Sequence, residues 1–280
     1  MSTARRALVL GGGGVTGIAW ETGILAGLAQ AGVDLTSADV VVGTSAGSVV
    51  GAQILSGIAL EDLYAEQLKD ATGEIPAKIG MGVMARFVIG ALWPGDERRG
   101  SASIGHAALK ARTVPESVRR AVFEERLPSR VWPERRLIIT TVDAETGEAR
   151  AFDRDSGVPL LDAVAASCAV PMVWPPITIN GHRYIDGGVR SVTNADLAAG
   201  CDRVVVLAPV NFGLRRSRRI DNQLASLGAS VRSIVISPDA QSRRAIGSNV
   251  LDPAHREASA RAGRRQAASV LDAVAATWSA

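Results

Sequence analysis

Ala7-Leu8-Val9-Leu10-Gly11-Gly12-Gly13-Gly14-Val15-Thr16-Gly17 and Asp39-Val40-Val41-Val42-Gly43-Thr44-Ser45-Ala46-Gly47 repeat one design: an apolar run, a glycine-bearing turn, then a helix-forming stretch. Apolar runs without polar alternation suit parallel strands covered on both faces. Two strand–turn–helix units in succession predict an α/β sheet with right-handed crossovers. The first helix is expected from about Gly17 to Ala31 and the second to end near Ser56.

Outward from that core, residues 58–134 change character and read as a helical insertion lying over the sheet, such as a cap. It contains the apolar, glycine-interrupted stretch Ile75–Trp93 and a polar segment, Pro94–Gly100, expected as a loop. Regular order resumes with strands over Arg136–Val142 and Ala149–Phe152 and a helix over Leu160–Cys168. Asn180-Gly181 between two short β-prone runs is a hairpin signal, because both central residues of a type I′ turn need positive φ. Arg203–Leu207 and Val231–Ile236 read as further strands. Asp252-Pro253 reads as an N-cap with proline at the first helical position, opening a final helix to about Thr277.

Composition narrows the function classes. Of 280 residues, 47% are hydrophobic and 21% charged, which excludes a disordered chain or a disulfide-stapled miniprotein. Cys168 and Cys201 are the only cysteines, so free thiols and a reducing, cytoplasmic setting are expected. The basic side chains number 31 against 28 acidic, aromatics make up 4%, and no interleaved basic–aromatic pattern occurs. Nucleic-acid binding is therefore not expected. Ala7–Leu10 is too short for a secretory core, which needs about seven to fifteen apolar residues. Ile75–Trp93 is too broken for a membrane span of about twenty. The chain is read as soluble, touching a membrane surface at most peripherally.

Three motifs carry chemistry. Gly43-Thr44-Ser45-Ala46-Gly47 is a G-x-S-x-G at a strand-to-helix turn, where small neighbours let a serine hydroxyl project at the end of the sheet. The plain alternative is a tight turn that contains a serine. Gly11–Gly17 admits three chemical readings. A dinucleotide loop lacks its acidic residue at the tip of the second strand, and a phosphate loop lacks Lys-Ser/Thr after Gly17. The third, an oxyanion hole of unobstructed N–H groups, fits a nucleophile on the next strand. Asp186-Gly187-Gly188 is by itself a turn, but beside a serine without a base it becomes a candidate general base. Of the histidines, His106 lies in the polar region without a sequence partner and His182 sits beside the hairpin turn. His255 follows Asp186 in hydrolase order but opens a helix, where the dipole disfavours an imidazolium.

In this order, Gly12–Gly17, Gly43–Gly47 and Asp186–Gly188 resemble the patatin-like phospholipase family. Ala166–Pro171, Trp174-Pro175-Pro176 and Thr141–Gly147 support the resemblance, which covers residues 7 to about 210. It implies a three-layer α/β/α fold with a mostly parallel central sheet, here one domain over 1–280 with 58–134 as cap. It also implies a Ser–Asp dyad without histidine: Ser45 as nucleophile, Asp186 as base, and Gly12, Gly13, Gly14 and Val15 around the oxyanion. The family's loop commonly carries Arg or Lys where this chain has Thr16, which puts the anchoring of the loop in question.

The expected activity is hydrolysis of lipid acyl esters, with no cofactor and no metal. Acyl transfer, a catalytically silent lipid-binding module and, more distantly, a dinucleotide-dependent oxidoreductase are the competing classes. Met81, Met84, Phe87, Leu92 and Trp93 suit either acyl chains and a bilayer or ordinary packing. Arg215-Arg216 and Arg218-Arg219 are expected to be a solvated loop, and Val270, Leu271 and Val274 core residues of the last helix.

Overall fold

Side chains on a strand alternate between faces, so a run that is apolar at every position needs cover on both sides. Leu8 and Leu10 join one buried cluster, with Val41, Leu137 and Leu207. Ala7 and Val9 join another on the opposite face, with Val40, Val42 and Val206. The computed structural model describes residues 4–70, 77–93, 95–211 and 215–279. Its strands are β1 (Arg6–Leu10), β2 (Val40–Gly43), β3 (Arg136–Asp143), β4 (Ala149–Phe152), β5 (Ile177–Ile179), β6 (His182–Asp186), β7 (Arg203–Leu207) and β8 (Arg232–Ile236). The helices begin with α1 (Gly14–Gln30), α2 (Ala46–Ile54), α3 (Leu60–Gln67), α4 (Met81–Ala91) and α5 (Glu97–Lys110). They continue with α6 (Glu116–Arg126), α7 (Leu160–Ser167), α8 (Ile220–Ser226), α9 (Ala240–Ile246) and α10 (Arg256–Trp278).

Hydrogen-bonded neighbours run β5-β6-β3-β2-β1-β7-β8, with β4 pairing β3 off that path. The centre is parallel, and β4, β5 and β6 are antiparallel additions. The fold is the three-layer, mostly parallel α/β/α arrangement expected. One detail of register positions everything that follows. Ile139 pairs with both Gly43 of β2 and Phe152 of β4, while Thr141 pairs with both Arg150 of β4 and Asp186 of β6. β2 and β6 therefore lie on the same edge of β3, end to end, and the strand ends that face each other there are Gly43 and Asp186.

The segment 58–134 supplies helices to both faces. Leu63 of α3 and Phe123 of α6 join the cluster under α1 and α7. Ile104 and Ala108 of α5, with Phe87 of α4, pack on the other face against Val142 and Ile185. The polar segment expected as a loop is instead the start of α5, because Asp96 Oδ1 caps it by accepting from the Arg98 N–H at 2.9 Å. Pro94 of that segment, and Ile75 and Pro76 of the apolar stretch, lie outside the described residues. The arginine run is solvated only in part: Arg216 and Arg219 are exposed as expected, and Arg218 is not. Arg218 is buried, donates to the Val189 carbonyl at 2.8 Å, and lies 3.8 Å from Glu97.

The last helix is where the tail enters the fold. A 3₁₀ turn, Pro253–His255, intervenes after Asp252, so α10 starts at Arg256. Val274 is buried, and Val270 and Leu271 pack against the core as expected. α10 lies against α1 so closely that a Cβ on Gly263 would come 2.3 Å from the Trp20 carbonyl oxygen. Trp20 is fully buried and its indole N–H donates to Gln266 Oε1 at 3.1 Å. Trp20→Ala should therefore lower the unfolding free energy by about 3–5 kcal/mol, measured as the shift in urea midpoint at unchanged slope.

Candidate active site

The turn after β2 is tightly packed. A Cβ on Gly47 would sit 2.1 Å from the Leu10 carbonyl oxygen, so only glycine lets α2 start against β1. The same turn forces Ser45 to φ 52° and ψ −115°, a conformation L-residues avoid. Three contacts hold it there. The Ser45 N–H donates to Ser167 Oγ at 2.9 Å. Its carbonyl accepts from the Ser48 hydroxyl at 2.7 Å and the Cys168 thiol at 3.3 Å. The sequence marks Ala166–Pro171 only as a supporting stretch, and the structure gives Ser167 and Cys168 this specific task.

β6 delivers Asp186 to the same place along the shared edge of β3. Asp186 and Ser45 are both buried and line the same cavity, with the Ser45 side chain near enough to act on the carboxyl. Asp186 Oδ1 also accepts from the Gly188 N–H at 2.7 Å, and the Asp186 N–H donates to the Ala169 carbonyl at 3.0 Å. Burial raises the carboxyl's pKa to about 6, against the opposing pull of the nearby Ser45 side chain and the Gly188 N–H. This carboxylate is a better proton acceptor than an exposed aspartate and is still ionised near neutrality.

The glycine loop closes the third side. A Cβ on Gly12 would lie 3.6 Å from that of Ser45. Gly12 differs from expectation as a donor, because its N–H already donates to the Val192 carbonyl at 2.7 Å. No hydrogen bond within the described residues uses the N–H groups of Gly13, Gly14 or Val15. α1 begins at Gly14 rather than Gly17, so these donors belong to its first turn, where the helix dipole adds positive potential. Thr16 does anchor the loop: its N–H and hydroxyl both donate to the Val250 carbonyl, each at 3.2 Å. The tail beyond residue 210, which has no role assignable from sequence, thus holds the loop in place.

Asn194 is the residue that sequence reading misses. It is fully buried in a left-handed conformation, and its Nδ2 lies 3.0 Å from Thr44 Oγ1, 3.2 Å from Thr140 Oγ1 and 2.8 Å from the Ser191 carbonyl. With a further bond to the Gly187 carbonyl at 3.4 Å, it ties the Ser45 turn, β3 and the residue after Asp186 to one amide, and a lone Asn eight residues after Asp186 gives no sign of this. The histidines are elsewhere. His182 Nδ1 is 3.3 Å from Asp143 Oδ2, His255 Nδ1 is 2.8 Å from the Ala245 carbonyl, and His106 is exposed on α5.

Two cavities meet at Ser45. One, of about 210 Å³, is chiefly apolar and lined by Ile79, Met84, Phe87, Val170 and Val189, with Asp186 at its floor. The other, of about 40 Å³, is lined by Arg119, Arg126, Cys168 and Trp174.

The sequence matches the patatin-like phospholipase family over residues 8–199. A search of the curated proteins finds no match. Among solved structures, VipD from Legionella pneumophila superposes with a TM-score of 0.50 at 14% identity, covering 97% of this chain and 67% of VipD. The type III effector protein ExoU gives a TM-score of 0.43 at 16% identity, covering 97% of this chain and 53% of ExoU. At these identities the structural likeness concerns the fold.

Because the Ser45 backbone is disfavoured for any residue with a Cβ, Ser45→Gly should raise stability by about 1 kcal/mol, while Ser45→Ala should not. Thermal melts of the two variants against wild type separate them.

Proposed function

The chain belongs to the patatin-like phospholipase family, and we propose that it is a lipid acyl hydrolase working through Ser45 and Asp186. The observation that carries this reading is the meeting of buried Asp186 with Ser45, held on its strained turn, at one apolar cavity, with the Asp186 carboxyl at a pKa of about 6. Asp186 takes the Ser45 proton as the hydroxyl oxygen attacks the ester carbonyl. The developing oxyanion is held by the free N–H groups of Gly13, Gly14 and Val15, with Gly12 left out. Collapse expels the alcohol, which takes up the proton from Asp186, and leaves an acyl-Ser45 ester. Asp186 then accepts a proton from the incoming water, and the acid departs as Ser45 recovers its hydrogen.

The apolar cavity beside Ser45 suits an acyl chain. Met84 and Phe87 of α4 line it, Met84 itself 48% exposed, while Met81 and, just past the helix, Leu92 stand 92% and 61% exposed. On this reading 58–134 acts as the cap, with α4 meeting a lipid surface on its outer side. No helix among the described residues is long and apolar enough to cross a membrane. A silent binding module would retain the strained Ser45 backbone for no purpose, which favours the catalytic reading.

Hydrolysis of p-nitrophenyl esters should vanish in Ser45→Ala and fall about 10²–10⁴-fold in Asp186→Asn, the range for a lost general base. His255→Ala should retain wild-type rates. Fluorophosphonate should label wild type and not Ser45→Ala. Since the base acts only when ionised, kcat/KM should rise with pH through a midpoint near 6 and then level off. A profile flat from pH 4.5 to 8 would remove Asp186 from the role.

A further inference from the structure

We propose that the outer faces of α4 and α5 form one docking surface for an anionic lipid bilayer, in which apolar side chains of α4 enter the acyl boundary while Arg86, Arg99 and Lys110 meet the phosphates. The surface follows from reading 58–134 as a cap whose α4 faces lipid, and it does not depend on the chemistry at Ser45.

A helix on the outside of a soluble fold ordinarily turns polar residues to water. α4 has Arg86 as its sole polar side chain. Its inner side is already used. A Cβ on Gly100 of α5 would come 2.2 Å from the Gly90 carbonyl oxygen, so the two helices touch there, and Phe87 packs beside Ile104 and Val142. Met81, Ala85 and Ile89, at i, i+4 and i+8, run along the other side and are exposed, with Leu92 just beyond. Such an apolar row gains free energy by leaving water for the acyl boundary of a bilayer, as in an interfacial helix.

Charge selects the kind of bilayer. Where α4 and α5 cross, a surface groove of about 500 Å³ is lined by Arg86 and Trp93 on one side and Arg99, Ser103, His106 and Lys110 on the other. The latter recur at i, i+4, i+7 and i+11, one face of α5. No carboxylate lines the groove. Arg86, Arg99 and Lys110 are exposed, and no ion pair or hydrogen bond among the described residues engages their side chains. The acidic residues at the start of α5 serve elsewhere, since Asp96 caps the helix and Glu97 faces Arg215 and Arg218. Cations without counter-charges beside an apolar row match the layers of an anionic membrane, with the Trp93 indole suited to the boundary. An acidic peptide or a nucleic acid would fill the groove and leave the row on α4 in water. Met84 and Phe87 line the apolar cavity from the same helix, so docking brings the mouth of that cavity to the membrane.

The test uses the full chain as Ser45→Ala, which leaves vesicles intact, with binding read by cosedimentation. Vesicles of phosphatidylcholine are compared with vesicles in which about a third of the lipid is phosphatidylglycerol. The anionic vesicles should bind about tenfold tighter or more, and the difference should shrink as KCl rises from about 0.05 to 0.5 M. Arg99→Gln and Lys110→Gln should each weaken binding about fivefold, what one cation supplies at an anionic surface. Arg232→Gln, exposed at the opposite end of the sheet, should stay within about twofold of the parent. Met81→Ser/Ile89→Ser should weaken binding about tenfold or more. Equal affinity for both vesicles, or no loss in the charge variants or in the apolar pair, would overturn the surface. Heparin bound as tightly as anionic vesicles, and equally well by Met81→Ser/Ile89→Ser, would give the groove to a soluble polyanion and overturn the bilayer.

Failure of the hydrolase reading gives a different pattern. With Ser45 intact, Arg99→Gln/Lys110→Gln should cleave soluble p-nitrophenyl esters at wild-type rates. Selective vesicle binding by a wild type that cleaves no ester supports the surface and removes the hydrolase reading alone. Ester cleavage without selective vesicle binding removes the surface alone.

Discussion

The site depends on β3 being long enough to pair with two strands along a single edge. Its first half bonds to β2 and its second half to β6, so the end of one strand faces the end of the other. Ser45 follows β2 by two residues and Asp186 closes β6, which brings two side chains separated by 141 positions to one cavity. No loop has to reach across the sheet to make this pair. Because the strands are held by ladder hydrogen bonds, the hydroxyl and the carboxylate are as well positioned as the sheet is rigid. Asn194 reinforces the junction by bonding to Thr44 and Thr140 at once.

Around this pair the fold places opposing electrostatic demands close together. Burial raises the proton affinity of Asp186, while the Gly188 N–H and the Ser45 hydroxyl stabilise its charge. The first turn of α1 presents unused N–H donors, and α1 itself is clamped by α10 and by the Val250 carbonyl. The matched family region ends at residue 199, so the clamp lies outside it. A tail with little recognisable pattern thereby sets the geometry of the most recognisable loop.

Much of this was legible from residue types. The parallel core strands, the elbow at Ser45 and the hairpin at Asn180-Gly181 all follow from local rules: apolar runs, small residues at a sharp turn, and positive φ. Polar composition predicts a loop at the start of α5, whereas the Asp96 cap, a one-residue signal, makes it helix. For Arg218, charge predicts exposure, and the nearness of Glu97 and of the Val189 carbonyl allows burial instead. The loss of Gly12 as a donor follows from the Val192 carbonyl, which no spacing rule could place.

The sequence by itself determined the kinds of element and the kinds of reacting group. Backbone sterics and hydrophobic periodicity act over a few residues, and those are printed in the chain. Tertiary structure alone decided which groups meet: Asp186 with Ser45, Thr16 with Val250, Arg119 with Trp174. It also decided how strongly each is perturbed, because desolvation and Coulomb interactions depend on distance and burial rather than on position along the chain.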